Sequence, residues 1–230
     1  MYRPARPVAR ILIASLALIG VIGVFVADFR VQEIQQLTLL RQDPFLVDRP
    51  RLALIQHNAR ALQYPGLAAL AGSVLAWLAW QTRCHRNTVP LGGARLRFHS
   101  PVAALAAWIV PGANVVLPMV SVRELWTASD PDARPGDRPR RVSPVVLAWW
   151  LAFLGFAFLL GGSILHWTGD AGAPAARIVR DEWLIATGLW AVVAAGLAAA
   201  VVLLIDLRQE ERAQGHVAER WSEWRLQSPS

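Results

Sequence analysis

Charge is absent from long stretches of this chain and crowded into the segments between them. Residues 11–27, 64–82, 101–120, 145–165 and 183–205 contain no Asp, Glu or Arg. At about 1.5 Å per helical residue, runs of this length cover most or all of a hydrocarbon layer ~30 Å thick. Of the 230 residues, 55% are hydrophobic and 17% charged, a more apolar balance than a water-soluble domain needs. The expected class is an all-α polytopic integral membrane protein. Arg3, Arg6 and Arg10 precede the first run. That run is long for the apolar core of a signal peptide, and its exit, Phe25-Val26-Ala27-Asp28, lacks a small-residue cleavage pattern. An uncleaved anchor helix is expected.

The third run differs from the others. Within 101–120 it holds Pro111, Gly112, Asn114 and Pro118. Proline removes a backbone donor and clashes with the preceding turn, and glycine permits a bend. Broken backbone at membrane depth persists only where protein or trapped water satisfies it. The arginines give a second constraint. If all five runs cross with the amino terminus inside, nine arginines lie inside and fourteen outside, against the positive-inside rule. If 101–120 dips in and returns, sixteen lie inside and seven outside. Four spans are therefore expected, at about 11–28, 64–82, 144–166 and 183–205, with a re-entrant or interfacial segment at 101–120. The amino-terminal residues 1–10 and the charged tail 206–230 are then cytoplasmic, and the expected location is the plasma membrane.

Between the runs the signals are weaker. Residues 28–63 are expected to form an ordered extramembrane loop, interrupted by Pro44 and Pro50, although Val31, Ile34 and Leu37 recur at helical spacing. Small residues repeat every four positions at Ala68, Gly72 and Ala76, and again at Thr187, Ala191, Ala195 and Ala199, a pattern that lets membrane helices approach closely. The fourth run carries large residues instead, Trp149, Trp150, Phe153, Phe156 and Phe158. In the tail, Val217, Trp221 and Trp224 share a helical face, suited to docking or to packing on the protein's own loops.

One ordered series of motifs crosses the middle of the chain. Trp80-Gln81-Thr82-Arg83 is followed by Arg86-Asn87, Leu91-Gly92, Ser100-Pro101, Trp108-Ile109-Val110-Pro111, Asn114, Pro118, Arg123-Glu124-Leu125-Trp126 and Ala128-Ser129-Asp130, with Trp149-Trp150 in the next span. This series resembles the bacterial membrane family catalogued as domain of unknown function 4328. Trp108, Pro111, Asn114 and Pro118 match its W-x-x-P-x-x-N-x-x-x-P core, and Arg123, Glu124, Trp126, Ser129 and Asp130 match the R-E-x-W-x-x-S-D that follows. The resemblance covers about residues 60–205. It implies a four-span membrane protein and no activity.

Catalytic constellations are missing from the sequence: no HExxH, no Walker loop and no G-x-S-x-G occurs. The single cysteine, Cys84, excludes an internal disulfide and any CxxC motif. It sits beside His85 in an Arg-rich segment and is expected to be a modestly exposed free thiol. No enzyme activity, cofactor or metal site is expected. The residues of the series, Trp80, Arg83, Asn87, Gly92, Pro101, Trp108, Pro111, Asn114, Pro118, Glu124, Trp126 and Ser129, are candidates for a structural or functional role. The leading expectation is a non-catalytic membrane scaffold or partner subunit. The alternative is a small-solute or ion conduit built around 108–118, since a broken helix presents free backbone groups. The bilayer is the expected partner, with anionic lipid headgroups at the Arg-rich inner loops. A second copy or another membrane protein is the further partner such a chain admits. The pI of about 11 would suit nucleic acid, but the arginines cluster at the ends of apolar runs, so no nucleic-acid partner is expected.

Overall fold

The computed structural model describes residues 2–92, 101–110, 112–132, 143–167 and 173–227, with side chains for all of these except 101, 167 and 216–227. Among them the secondary structure is helical: α1 (Arg6–Gln42), α2 (Arg49–Ala61), α3 (Gln63–Thr88), α4 (Pro101–Ile109), a 3-10 turn at Ala113–Val115, α5 (Leu117–Ala128), α6 (Pro144–Trp167) and α7 (Pro174–Gln227). Four helical stretches are long and apolar enough to cross a membrane: α1, α2 with α3, α6 and α7. The protein is thus an all-α polytopic membrane protein, and its four charge-free runs other than 101–120 each fall on one of these stretches.

The helices run well past the apolar runs. Residues 28–63, expected as a loop, are helical except for 43–48 and the junction at Leu62. Local chemistry continues α1 beyond Ala27. Gln32 Nε2 donates to Asp28 Oδ2 at 2.7 Å, one turn back, and Thr38 Oγ1 donates to Ile34 O at 2.8 Å. Pro50, expected as a breaker, instead sits in the first turn of α2, where its missing N–H costs nothing. Asp48 caps that helix by accepting from Arg51 N at 2.9 Å. The charged tail is likewise helical through Gln227, continuous with the last apolar run.

The chain forms two compact units. One comprises residues 1–13, 74–150 and 199–230, and the other residues 14–73 and 151–198. In the second unit, glycines set the helix contacts. A Cβ on Gly23 of α1 would lie 2.5 Å from Gly188 O of α7, and the reverse placement is equally close. Ser163 of α6 and Thr187 of α7 share a hydrogen bond of 2.8 Å. The Trp190 indole covers Gly155 and donates to Ala152 O at 2.8 Å. Of the expected stripe Thr187, Ala191, Ala195 and Ala199, the first three are buried and Ala199 is half-buried. The expected stripe on α3 is not the packing face: Ala68 and Gly72 are exposed, and Ala69, Ser73, Trp77 and Trp80 are buried instead. Large aromatic residues, not small ones, make the contacts of α3 in the first unit.

Candidate functional site

The broken segment is built residue by residue. Helix α4 ends at Ile109, and Gly112 turns the chain with φ +77°, a conformation open to glycine and costly for other residues. Asn114 N then donates to Val110 O at 3.0 Å, and Val116 N to Ala113 O at 3.0 Å, closing the 3-10 turn. Pro118 is buried in the first turn of α5, so it starts a helix instead of kinking one. Pro111 and the side chain of Pro101 lie outside the described residues. With nine and twelve residues, α4 and α5 are about 13 and 18 Å long, and neither reaches across a bilayer.

Five tryptophans enclose the segment in the first unit. Trp77 stacks on Trp149 with centroids 5.0 Å apart and contacts Trp80 at 5.1 Å and Trp108 at 6.1 Å. Trp108 in turn meets Trp150 edge-on at 6.2 Å. Two of these indoles share one acceptor, Gln81. Its Oε1 accepts from Trp77 Nε1 at 3.1 Å and from Trp108 Nε1 at 3.0 Å. Its Nε2 donates to Ser121 Oγ at 2.9 Å. Ser121 Oγ is 3.4 Å from His85 Nε2, and His85 Nδ1 is 3.0 Å from Gln81 O. A carbonyl accepts only, so Nδ1 carries the proton and Nε2 faces the Ser121 hydroxyl as acceptor. The chain of donors and acceptors closes with a neutral imidazole. Trp77, Gln81 and His85 are each four apart and share one face of α3.

A second network joins the end of α7 to the ends of α3 and α5. The last carbonyls of any helix lack intrahelical partners and carry the negative end of its dipole. Arg212 answers both needs at two helices. It donates through Nε to Leu91 O at 2.7 Å and through Nη2 to Gly92 O at 3.0 Å, just past α3. Through Nη1 it reaches Ala128 O at 3.5 Å and Asp130 O, at the end of α5. Gly92 permits this turn with φ +62°. Three residues before Arg212, Gln209 accepts from Asn87 Nδ2 at 3.1 Å and donates to Cys84 O and to Ser129 Oγ, both at 3.2 Å. Arg208 lies 4.2 Å over the Trp126 ring and donates to Trp126 O at 3.2 Å. Asn87 also exchanges two hydrogen bonds with the backbone of Arg3, and Arg6 pairs with Asp206 and Glu210.

The candidate residues divide accordingly. Trp80, Asn87, Gly92, Trp108, Trp126 and Ser129 take part in these contacts, Pro118 and Glu124 are buried on α5, and Arg83 is half-buried on α3. Asn114 is exposed on the turn, among exposed Ile109, Val110, Val115 and Val116. Cys84, expected as a modestly exposed thiol on a loop, is inside α3 and 0% exposed, because the end of α7 packs over it and Gln209 takes its carbonyl. Ser121, Gln209 and Arg212 were not among the candidates. Gln81 and His85 share the four-residue spacing with Trp77, a signal present in the sequence.

A helical membrane protein with four crossing-length stretches, and a broken segment held by buried amide, imidazole and guanidinium groups, is what fold and site define. Sequence comparison supplies the particular family. The chain belongs to the family described as domain of unknown function (DUF4328), which matches residues 45–219 and so takes in α2, Gln209 and Arg212 as well as the motif series. No curated protein and no solved structure matches the chain.

Proposed function

We propose that this protein is a non-catalytic scaffold or partner subunit of the plasma membrane, with both termini in the cytoplasm. In this reading the 101–128 segment enters the cytoplasmic side of the bilayer and returns to it. One observation carries the reading: Gln81, Ser121 and His85, and likewise Asn87, Gln209 and Ser129, are hydrogen-bonded to one another, and Arg212 of α7 holds the carbonyls at the ends of α3 and α5. Such a site holds a segment in place. Ser121 and His85 are buried, and the Ser121 oxygen already accepts from Gln81. A nucleophile for external substrates needs an open face. Topology supports the reading too. The C-terminal end of α3, the broken segment, the start of α6 and both termini belong to one unit. These are the segments to which the arginine count gives sixteen of the 23 basic residues. The exposed apolar tip of Ile109, Val110, Val115 and Val116 suits lipid or the helix of a membrane partner.

Thiol labelling tests the topology. In a Cys84→Ser background, single substitutions Phe45→Cys and Asp132→Cys are exposed to a membrane-impermeant maleimide. Position 45, at 95% exposure, is expected to react on intact cells and position 132 only after the cells are opened. Reaction at 132 on intact cells overturns the returning segment. For the scaffold role, reconstituted protein is expected to pass no solute in a liposome flux assay. Flux that disappears in Asn114→Ala overturns the scaffold in favour of a conduit.

A further inference from the structure

The second unit contains an apolar groove, and a cluster of charges stands one helical turn beyond its lining on α1 and α7. The groove has a volume of about 480 Å³, within the ~300–1,000 Å³ of small-molecule sites. Its walls come from all four crossing stretches, among them Ile22 and Val26 of α1, Gly66 and Leu70 of α3, Leu160 of α6 and Leu184 of α7. Leu67 and Ile164 on its lining are exposed, so the groove opens sideways, toward the side from which hydrocarbon chains arrive.

The charges stand one turn further along the same faces. On α1, Arg30 follows Val26 by four residues, and on α7, Arg180 and Asp181 precede Leu184 by four and three. Glu33 is 2.5 Å from Arg30 and 2.8 Å from Arg177. Asp181 is 2.9 Å from Arg180 and 3.4 Å from Arg30. Gln56 of α2 adds a donor to Glu33 at 3.1 Å. Both carboxylates are buried, and Glu182 is exposed outside the cluster. Three guanidiniums facing two carboxylates leave one positive charge in excess. The Arg30 Nε, a buried donor, has no hydrogen-bond partner among the described residues. Arg177 is the most open member, its side chain 25% exposed. The cluster begins three residues beyond the charge-free run 11–27 and two residues before the run 183–205, the level of lipid headgroups.

We propose that this groove and cluster form a binding site for one anionic phospholipid, its acyl chain in the groove and its phosphate at Arg177 and the neighbouring guanidiniums. The apolar groove alone accepts any hydrocarbon chain. The excess positive charge at its end selects a single negative phosphate, and guanidinium geometry favours that group. A zwitterionic lipid brings its own cation to the same place and gains less.

Native mass spectrometry of the full chain, stripped of lipid in detergent, tests this with phosphatidylglycerol and phosphatidylcholine of identical acyl chains. The expected result is one retained phosphatidylglycerol, bound at least tenfold more tightly than phosphatidylcholine. Gly66→Leu fills the groove, where an added Cβ would lie 3.6 Å from the Ile22 side chain, and is expected to remove the retained lipid. Arg177→Gln is expected to bring phosphatidylglycerol down to the phosphatidylcholine level, and Arg177→Lys to keep most of the preference. Equal retention of the two lipids by the unaltered chain overturns the site, and that comparison needs no variant to fold. So does undiminished phosphatidylglycerol binding in folded Gly66→Leu, or an unchanged preference in Arg177→Gln.

Discussion

Arg212 supports more backbone than any other side chain described. Its guanidinium meets carbonyls at the ends of α3 and α5 together. Each buried carbonyl left without a donor costs about 1–3 kcal/mol. Arg212→Gln is therefore expected to lose about 3 kcal/mol or more of stability, read as a clear fall in the thermal midpoint in detergent. Arg212→Lys is expected to recover little of it, because an ammonium lacks the planar fork that spans two helix ends. Recovery to the unaltered midpoint contradicts the two-helix cap. Gln81→Leu keeps the volume but strands two indole N–H groups and removes one of the two partners of the Ser121 hydroxyl, at an expected cost of about 2–4 kcal/mol. The same variant is expected to change the near-ultraviolet circular dichroism of the tryptophan cluster, and an unchanged spectrum would sink the hub role of Gln81. Part of this site was legible in the sequence. Asn87, Gly92, Trp108 and Ser129 fall in one ordered series, and residue types of that kind mark turns and buried acceptors. Arg212 and Gln209 were not legible. They lie in a tail rich in both charge signs, which reads as a solvated face, and their partners are about 80 to 125 residues away along the chain.

At the scale of single helices, the extension of α1 shows why the 28–63 segment reads as a loop. The sequence offers Val31, Ile34 and Leu37 as an apolar face. Of that face only Leu37 is buried, Ile34 is half-buried and Val31 is exposed; the other buried positions are Ala27, Arg30, Glu33 and Gln36. A helix that buries an ion-paired face has no apolar stripe to announce it, and its partners on α7 and α2 are far away along the chain. Small-residue spacing was informative on α7 and misleading on α3, since it says that a close approach is possible and not that one occurs. The contrast can be measured. Gly188→Ala places a Cβ 2.5 Å from the Gly23 carbonyl and is expected to lower the thermal midpoint by several degrees. Gly72→Ala meets nothing within 4 Å and is expected to hold or raise it, since alanine favours a helix over glycine by up to about 1 kcal/mol. Equal behaviour of the two variants contradicts the α1–α7 contact.

For the whole molecule, the count of crossing stretches was the most legible property. Charge-free length is a local signal that the bilayer enforces regardless of tertiary context. The ends of the helices were hidden for the opposite reason: outside the hydrocarbon layer a helix and a loop have similar composition. Orientation rests on the sum of many arginines, and this has a consequence for mutation. Replacing Arg3, Arg6 and Arg10 together by Gln leaves thirteen arginines on the proposed inner side against seven. The labelling pattern at positions 45 and 132 is therefore expected to persist. Inversion would mean that the first helix alone sets the orientation.

The burial of Cys84 beneath the end of α7 gives the molecule a clock. A thiol with no exposed surface reacts only during the fraction of time that its cover is open. The rate of its modification by a small alkylating reagent, divided by the rate for a free thiol, is then the opening equilibrium itself, one decade for each ~1.4 kcal/mol. Anything that seats or releases the end of α7 changes that rate without a new label or a second cysteine.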